Sequence, residues 1–187
     1  MMSKLFAGLS VVALAAGFAV AAELKSGPQP GERIPGPFHP LNVTGEKAGE
    51  KNCLVCQNGA NPVVMIFARC ADCPQTQKLI KAVDAATAKH TDCEMGSFAV
   101  VLTEDEDKDG AKLKDFAKKE GLKKIVLATD SPAGPPKYGV NKDADVTVVL
   151  YTHSEVKANH TFKKGEIKDK DIEAIVADVA KILPEKK

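Results

Sequence analysis
The stretch Pro62-Val63-Val64-Met65-Ile66-Phe67-Ala68-Arg69-Cys70-Ala71-Asp72-Cys73-Pro74 decides the fold. Its first eight residues form a short apolar run rich in β-branched side chains, which reads as a buried strand. Pro74 then opens a helix at the position where its missing N–H costs nothing. Leu79, Ile80, Val83 and Ala86 line one face of that helix as far as His90. The unit is strand, Cys-x-x-Cys, helix. Downstream, residues 98–102 give a second buried strand and an acidic loop follows at 104–109. A helix burying Leu113, Phe116 and Ala117 stops at Gly121. Residues 125–128 give a third strand, and 146–151 a fourth. A turn at His153-Ser154 leads into 156–162, where apolar and polar residues alternate. The last helix carries Ile172, Ile175, Val176, Val179, Ile182 and Leu183 on one face and ends at Pro184. The order β-α-β-α-β-β-β-α predicts an α/β domain: a mixed central sheet flanked by helices on both faces. No repeat or second domain is visible.

Upstream, residues 1–22 read as a secretory signal peptide. Lys4 precedes an apolar run that ends in the small residues Ala19-Val20-Ala21-Ala22. The expected protein is therefore exported, periplasmic or extracellular, with no membrane span once the signal is removed. Residues 23–60 are expected to form an extended Pro/Gly-rich arm wrapping the domain at 61–187. Gly27-Pro28-Gln29-Pro30-Gly31 and Pro35-Gly36-Pro37 cannot hold a helix. Asn58-Gly59 is a turn signal of the hairpin kind. Formal net charge is +1, and Arg33 and Arg69 are the only arginines. With no tryptophan and two tyrosines, the chain lacks both the bidentate cations and the stacking platforms that read nucleic acid. The sequence says nothing about oligomeric state.

Five cysteines remain: Cys53, Cys56, Cys70, Cys73 and Cys93. Export permits disulfides, and an odd count leaves at least one thiol free or intermolecular. Cys70 and Cys73 stand first as a candidate redox dithiol. A helix N-terminus favours a thiolate, and Pro74 makes Cys73 the expected N-cap. Arg69 is placed to support a thiolate at Cys70, and Asp72 to oppose it. The competing reading is a structural or unreactive pair. Cys53 and Cys56 are candidates for a second disulfide, either structural or a second couple. All four together read C-x2-C-x13-C-x2-C, close to zinc-ribbon spacing. An eight-residue strand of about 26 Å separates the pairs, so a shared zinc requires that strand to break into a hairpin. Cys93 reads as an unpaired loop thiol or a partner in an alternative disulfide; with His90 it makes half a metal site whose second half is not in sight.

Several short segments carry a family resemblance. Ile34-Pro35-Gly36-Pro37-Phe38 resembles the N-terminal Pro-x-Phe segment of the redoxin branch of the thioredoxin superfamily. Cys70-Ala71-Asp72-Cys73 stands where thioredoxins carry their active Cys-x-x-Cys. Lys137-Tyr138-Gly139-Val140 is similar to the segment preceding their next strand. The arm through Cys53-Leu54-Val55-Cys56 resembles secreted redoxin-like proteins of environmental bacteria. The resemblance implies a thioredoxin-like fold, thiol–disulfide exchange with protein thiols or disulfides, and Cys70 as the attacking thiol. Helix capping instead makes Cys73 the more acidic thiol, so the order of attack stays open. Arg69 stands where thioredoxins have tryptophan, and Val146 where they have a cis-proline. The peroxiredoxin Pro and Thr ahead of a lone cysteine are missing. The alternatives are a non-catalytic redoxin-like binding or structural protein and a zinc-binding module.

The remaining motifs imply no cofactor or resident metal. Asp105-x-Asp107-x-Asp109-Gly110 opens like a calcium loop, but its twelfth position is Phe116 rather than a bidentate Glu. A solvated acidic loop capping the next helix is the expectation. His160 reads as a core histidine, and His39 and His153 have no partner in sight. There is no Gly-x-Ser-x-Gly elbow and no Gly-rich phosphate loop.

Overall fold
The computed structural model describes residues 24–185, so the leader expected at 1–22 lies outside the described residues. The decisive stretch folds as read. Strand β2 (Val63–Ala68) is buried on both faces and leads into helix α2 (Pro74–Lys89). It is preceded by strand β1 (Leu41–Asn42) and the short helix α1 (Leu54–Asn58). It is followed by β3 (Gly96–Leu102), α3 (Glu106–Glu120), β4 (Val126–Asp130), β5 (Val146–Thr152), β6 (Glu155–Phe162) and α4 (Asp169–Asp178).

The six strands lie in the order β1-β4-β3-β2-β5-β6. β2, β3 and β4 are parallel to one another, and β5 and β6 add antiparallel pairs. The chain steps from β2 to β3 to β4 in one direction. Two right-handed crossovers in the same direction place both helices on the same face. α4 returns to that face as well, so Leu79 and Ile80 of α2, Leu113 of α3 and Ile175 of α4 share one core with Val64, Ile66 and Val148. The helices are thus divided unequally between the faces. Against Val63, Met65, Phe67, Phe98 and Tyr151 the chain sets only the short α1, through Leu54, with Tyr138 and the N-terminal segment.

That N-terminal segment crosses the second face from edge to edge. Ser26 Oγ lies 2.7 Å from Thr147 Oγ1 on β5, and Asn159 of β6 donates to the carbonyls of Ser26 and Pro28. Gly31 and Ile34 donate backbone bonds to Val156 and Ser154. Phe38 then drops among Tyr138, Phe67 and Phe98, with ring centroids 4.9, 5.9 and 6.4 Å away. The Tyr138 hydroxyl donates to the Gly36 carbonyl at 2.6 Å. Beyond it β1 pairs with β4 at the far edge, with Leu41 opposite Thr129.

Two local expectations change. Asn58-Gly59 is no hairpin: Gly59 (φ 55°) is the C-cap of α1, and Asn58 Nδ2 bonds back to the Leu54 carbonyl. A glycine, free to take a positive φ, serves either purpose. The acidic stretch is helix rather than loop from Glu106 onward, with Asp105 as N-cap accepting from the Lys108 N–H. Elsewhere Asp84 of α2 accepts three backbone N–H groups, from Lys123, Lys124 and Ile125, fixing the entry to β4. His160 is half-buried, its Nε2 3.0 Å from Asp178 Oδ2 on α4.

Two tests follow from this packing. Phe38→Ala is expected to cost about 3–5 kcal/mol in denaturant unfolding, because it opens a cavity under the arm. Burial raises the Asp178 pKa, but the bonds from Lys181 and His160 outweigh it and leave a net lowering. A lowered carboxylate stabilises the fold above its unfolded pKa and loses that contribution as pH falls through the folded value. Asp178→Asn is therefore expected to be less stable than wild type at pH 7, by about 1 kcal/mol or less. That gap should close below about pH 4 in acid titrations followed by circular dichroism.

Candidate functional site
Strand β2 delivers Cys70 at its carboxyl end, and Cys73 is the N-cap of the 16-residue α2, with Pro74 at the first helical position. The two sulphurs form a disulfide. Both cysteines are half-buried, Ala71 between them is sunk into the helix-side core, and Asp72 points outward. The Gln77 N–H bonds the Cys73 carbonyl at 3.0 Å, and its side-chain amide donates to the Ala71 carbonyl at 3.3 Å. The dithiol is therefore built onto rigid elements on both sides.

Arg69 does something other than the sequence suggested. Its Nε donates to the Ala144 carbonyl at 3.0 Å, and its two terminal nitrogens donate to Pro132 and Asn141 at 2.8 and 3.2 Å. Its backbone N–H bonds Asp145. The guanidinium is spent on carbonyls of the 132–144 loop rather than on the Cys70 sulphur. It ties the segment that enters β5 to the strand carrying the dithiol. Val146 lies opposite Ala68 in that pairing, and no peptide bond among the described residues is cis.

The charge beside Cys70 comes instead from Asp72, whose Oδ1 lies 3.5 Å from the Cys70 sulphur. Lys112 of α3 bridges Asp72 at 3.1 Å and Asp109 at 3.0 Å. The Thr103 hydroxyl donates to Asp109 at 2.7 Å. That bond, opposed by burial and helped by Lys112, holds the Asp109 carboxyl below the ordinary range. Bonds from Asp109 and then Asp72 push Lys112 up, keeping it charged. A thiolate at Cys70 would meet one carboxylate whose charge is largely answered by a lysine. Sequence reading missed Lys112. Its spacing from Asp109 marks an ordinary pair on α3, and nothing local links it to Asp72.

The other candidates fall elsewhere. Cys53 and Cys56 form their own disulfide on α1, ahead of β2. β2 runs unbroken between the pairs, about 20 Å for six residues. A shared zinc site therefore has no geometry here, and among the described residues no three His, Cys, Asp or Glu side chains gather as metal ligands. Cys93 is a free, half-buried thiol packed on the helix-side core, 3.3 Å from the His90 carbonyl. His153 Nδ1 lies 3.1 Å from the Thr152 hydroxyl in an exposed turn. No helix among the described residues is long and apolar enough to cross a membrane.

No protein-family model matches the sequence, and no curated protein sequence matches it. Solved structures do. A putative thiol:disulfide interchange protein DsbE from Chlorobium tepidum is 19% identical, with TM-score 0.58 over 84% of this chain and 97% of that one. A secreted Mycobacterium tuberculosis disulfide oxidoreductase homologous to E. coli DsbE is 13% identical, with TM-score 0.55 over 75% of this chain and 94% of that one. A thiol peroxidase from Chromobacterium violaceum is 12% identical, with TM-score 0.56 over 82% of this chain and 87% of that one. The likeness shows the fold: the chain has the thioredoxin-like fold of the redoxins.

The Asp72–Lys112 arrangement can be tested by alkylation of the reduced chain at fixed pH. Asp72→Asn is expected to speed labelling of Cys70 about two- to fivefold, and Lys112→Ala to slow it by a similar factor.

Proposed function
We propose that this chain is an exported thiol–disulfide oxidoreductase working through Cys70 and Cys73. The observation that carries the reading is the Cys70–Cys73 disulfide at the junction of the central strand and the N-terminus of α2. In the oxidised chain a thiolate of a substrate protein attacks the Cys70 sulphur. The S–S bond breaks, and Cys73 leaves as a thiolate at the helix N-terminus, where free backbone N–H groups stabilise it. A second substrate thiolate then resolves the mixed disulfide. The substrate leaves as a disulfide, and the chain holds two thiols. The reverse sequence reduces a substrate.

In this reading residues 1–22 are a cleaved leader, 23–60 the arm and 61–187 the thioredoxin-like domain. The apolar run ending in small residues supports export, and the solved structures of like fold include a secreted disulfide oxidoreductase. The rival reading, a non-catalytic binding protein, draws on Val146 opposite Ala68 and on Arg69 bound up in loop carbonyls.

A redox titration of the mature chain in glutathione buffers separates the two. The proposal expects Cys70–Cys73 to titrate as a couple between about −120 and −270 mV. It also expects Cys73→Ser to accumulate a mixed disulfide at Cys70 when offered an oxidised protein substrate, whose disulfide the Cys70 thiolate opens. A pair that stays closed below about −300 mV, with no mixed disulfide trapped, overturns the enzyme reading in favour of the rival.

A further inference from the structure
We propose that Cys53–Cys56 is a second redox-active disulfide, opened by a low-molecular-weight thiol that carries both a carboxylate and an ammonium group. The pair is a poor staple. It closes across only two intervening residues, inside a single helical turn already capped at Gly59, and a loop that short restrains little of the unfolded chain. The arm is held without it, by Phe38, by β1 and by the bonds to β6.

Its two sulphurs are not equivalent. Cys53 is buried at 7% exposure, while Cys56 is exposed. The Cys56 N–H points at the Cys53 sulphur from 3.1 Å. An incoming thiolate reaches Cys56. Cys53 is then the leaving group, and that N–H steadies its negative charge. The pair opens into a recess of about 450 Å³ bounded by Glu46, Lys47, Asn52 and Gln57. That volume suits a molecule the size of a short peptide, and the walls offer one charge of each sign and two amides. Lys47 rests on Glu50 at 3.7 Å, with both side chains more than half exposed, a contact weak enough to yield to a ligand carboxylate.

The exchange balances without any further reactant. One thiolate attacks Cys56, giving a mixed disulfide and the Cys53 thiolate. A second thiolate attacks the sulphur of the bound thiol and releases the small disulfide and the Cys56 thiolate. The chain gains two electrons, and each thiolate takes a proton from water. The separation along β2 keeps the two couples from exchanging directly within one chain.

The wild-type mature chain in glutathione buffers provides the test. After quenching and differential alkylation, the peptides carrying Cys53–Cys56 and Cys70–Cys73 are read separately by mass spectrometry, with circular dichroism reporting the fold. The expected result is that Cys53–Cys56 opens and recloses while the chain stays folded, and that Cys56 is the first sulphur to carry glutathione. In Cys53→Ser the adduct should persist on Cys56. Lys47→Glu should slow opening about threefold and leave Cys70–Cys73 unchanged. A pair that remains closed across the buffer range, opens only on unfolding, or takes glutathione equally on either sulphur overturns the proposal. Because the peptides are scored apart, an inert Cys70–Cys73 does not bear on this outcome.

Discussion
Everything on the second face of the sheet depends on the seating of Phe38 among Phe67, Phe98 and Tyr138. The constraint behind it is topological. Two crossovers stepping the same way put α2 and α3 on one side, and α4 joins them, so the opposite, apolar side has only the short α1 as helical cover. A sheet face carrying Met65, Phe67, Phe98 and Tyr151 cannot face water. The proline- and glycine-rich segment roofs it with few side chains, chiefly Ile34 and Phe38, and Phe38 packs into the aromatic cluster. The Tyr138 hydroxyl bound to the Gly36 carbonyl fixes where that roof crosses.

The dithiol end of the sheet inherits its rigidity from the same frame. Cys70 is the continuation of a strand with neighbours on both sides, and Cys73 caps the 16-residue α2. Arg69 carries that order outward into the loop before β5. The polar chain from Asp72 through Lys112 and Asp109 to Thr103 ties the first two turns of α3 to the segment between the cysteines. The environment of the sulphurs is thus set from three elements distant in sequence.

Much of this was legible in the residues. The run Val63 to Ala68, the proline at the head of α2 and the glycine at the foot of α3 announce their elements because each expresses a local preference. The cap position of Cys73 could be read for the same reason. What stayed hidden is long-range. β1 is two residues long and has no periodicity to betray it. Asn58-Gly59 suits a hairpin and a helix end equally, because both use a glycine at positive φ. The partners of Arg69 lie more than sixty residues away, and the Lys112–Asp72 bridge joins α3 to the turn before α2, which no pattern aligns. The sharing of one face by three helices follows from the direction of the crossovers, which periodicity does not encode.

The edge-to-edge arm also imposes an order in time. Ser26 meets Thr147 across 121 positions, and Gly36 meets Tyr138 across 102. The arm therefore has its docking partners far downstream of itself. Closing loops of that length is slow compared with forming helices. Until the arm docks, Phe67 and Phe98 lie bare even where the helix-covered half has formed. At that stage the sheet edges that β1 and residues 31–34 later occupy are open to other chains. The sheet is most open to wrong pairing in the interval before the arm docks.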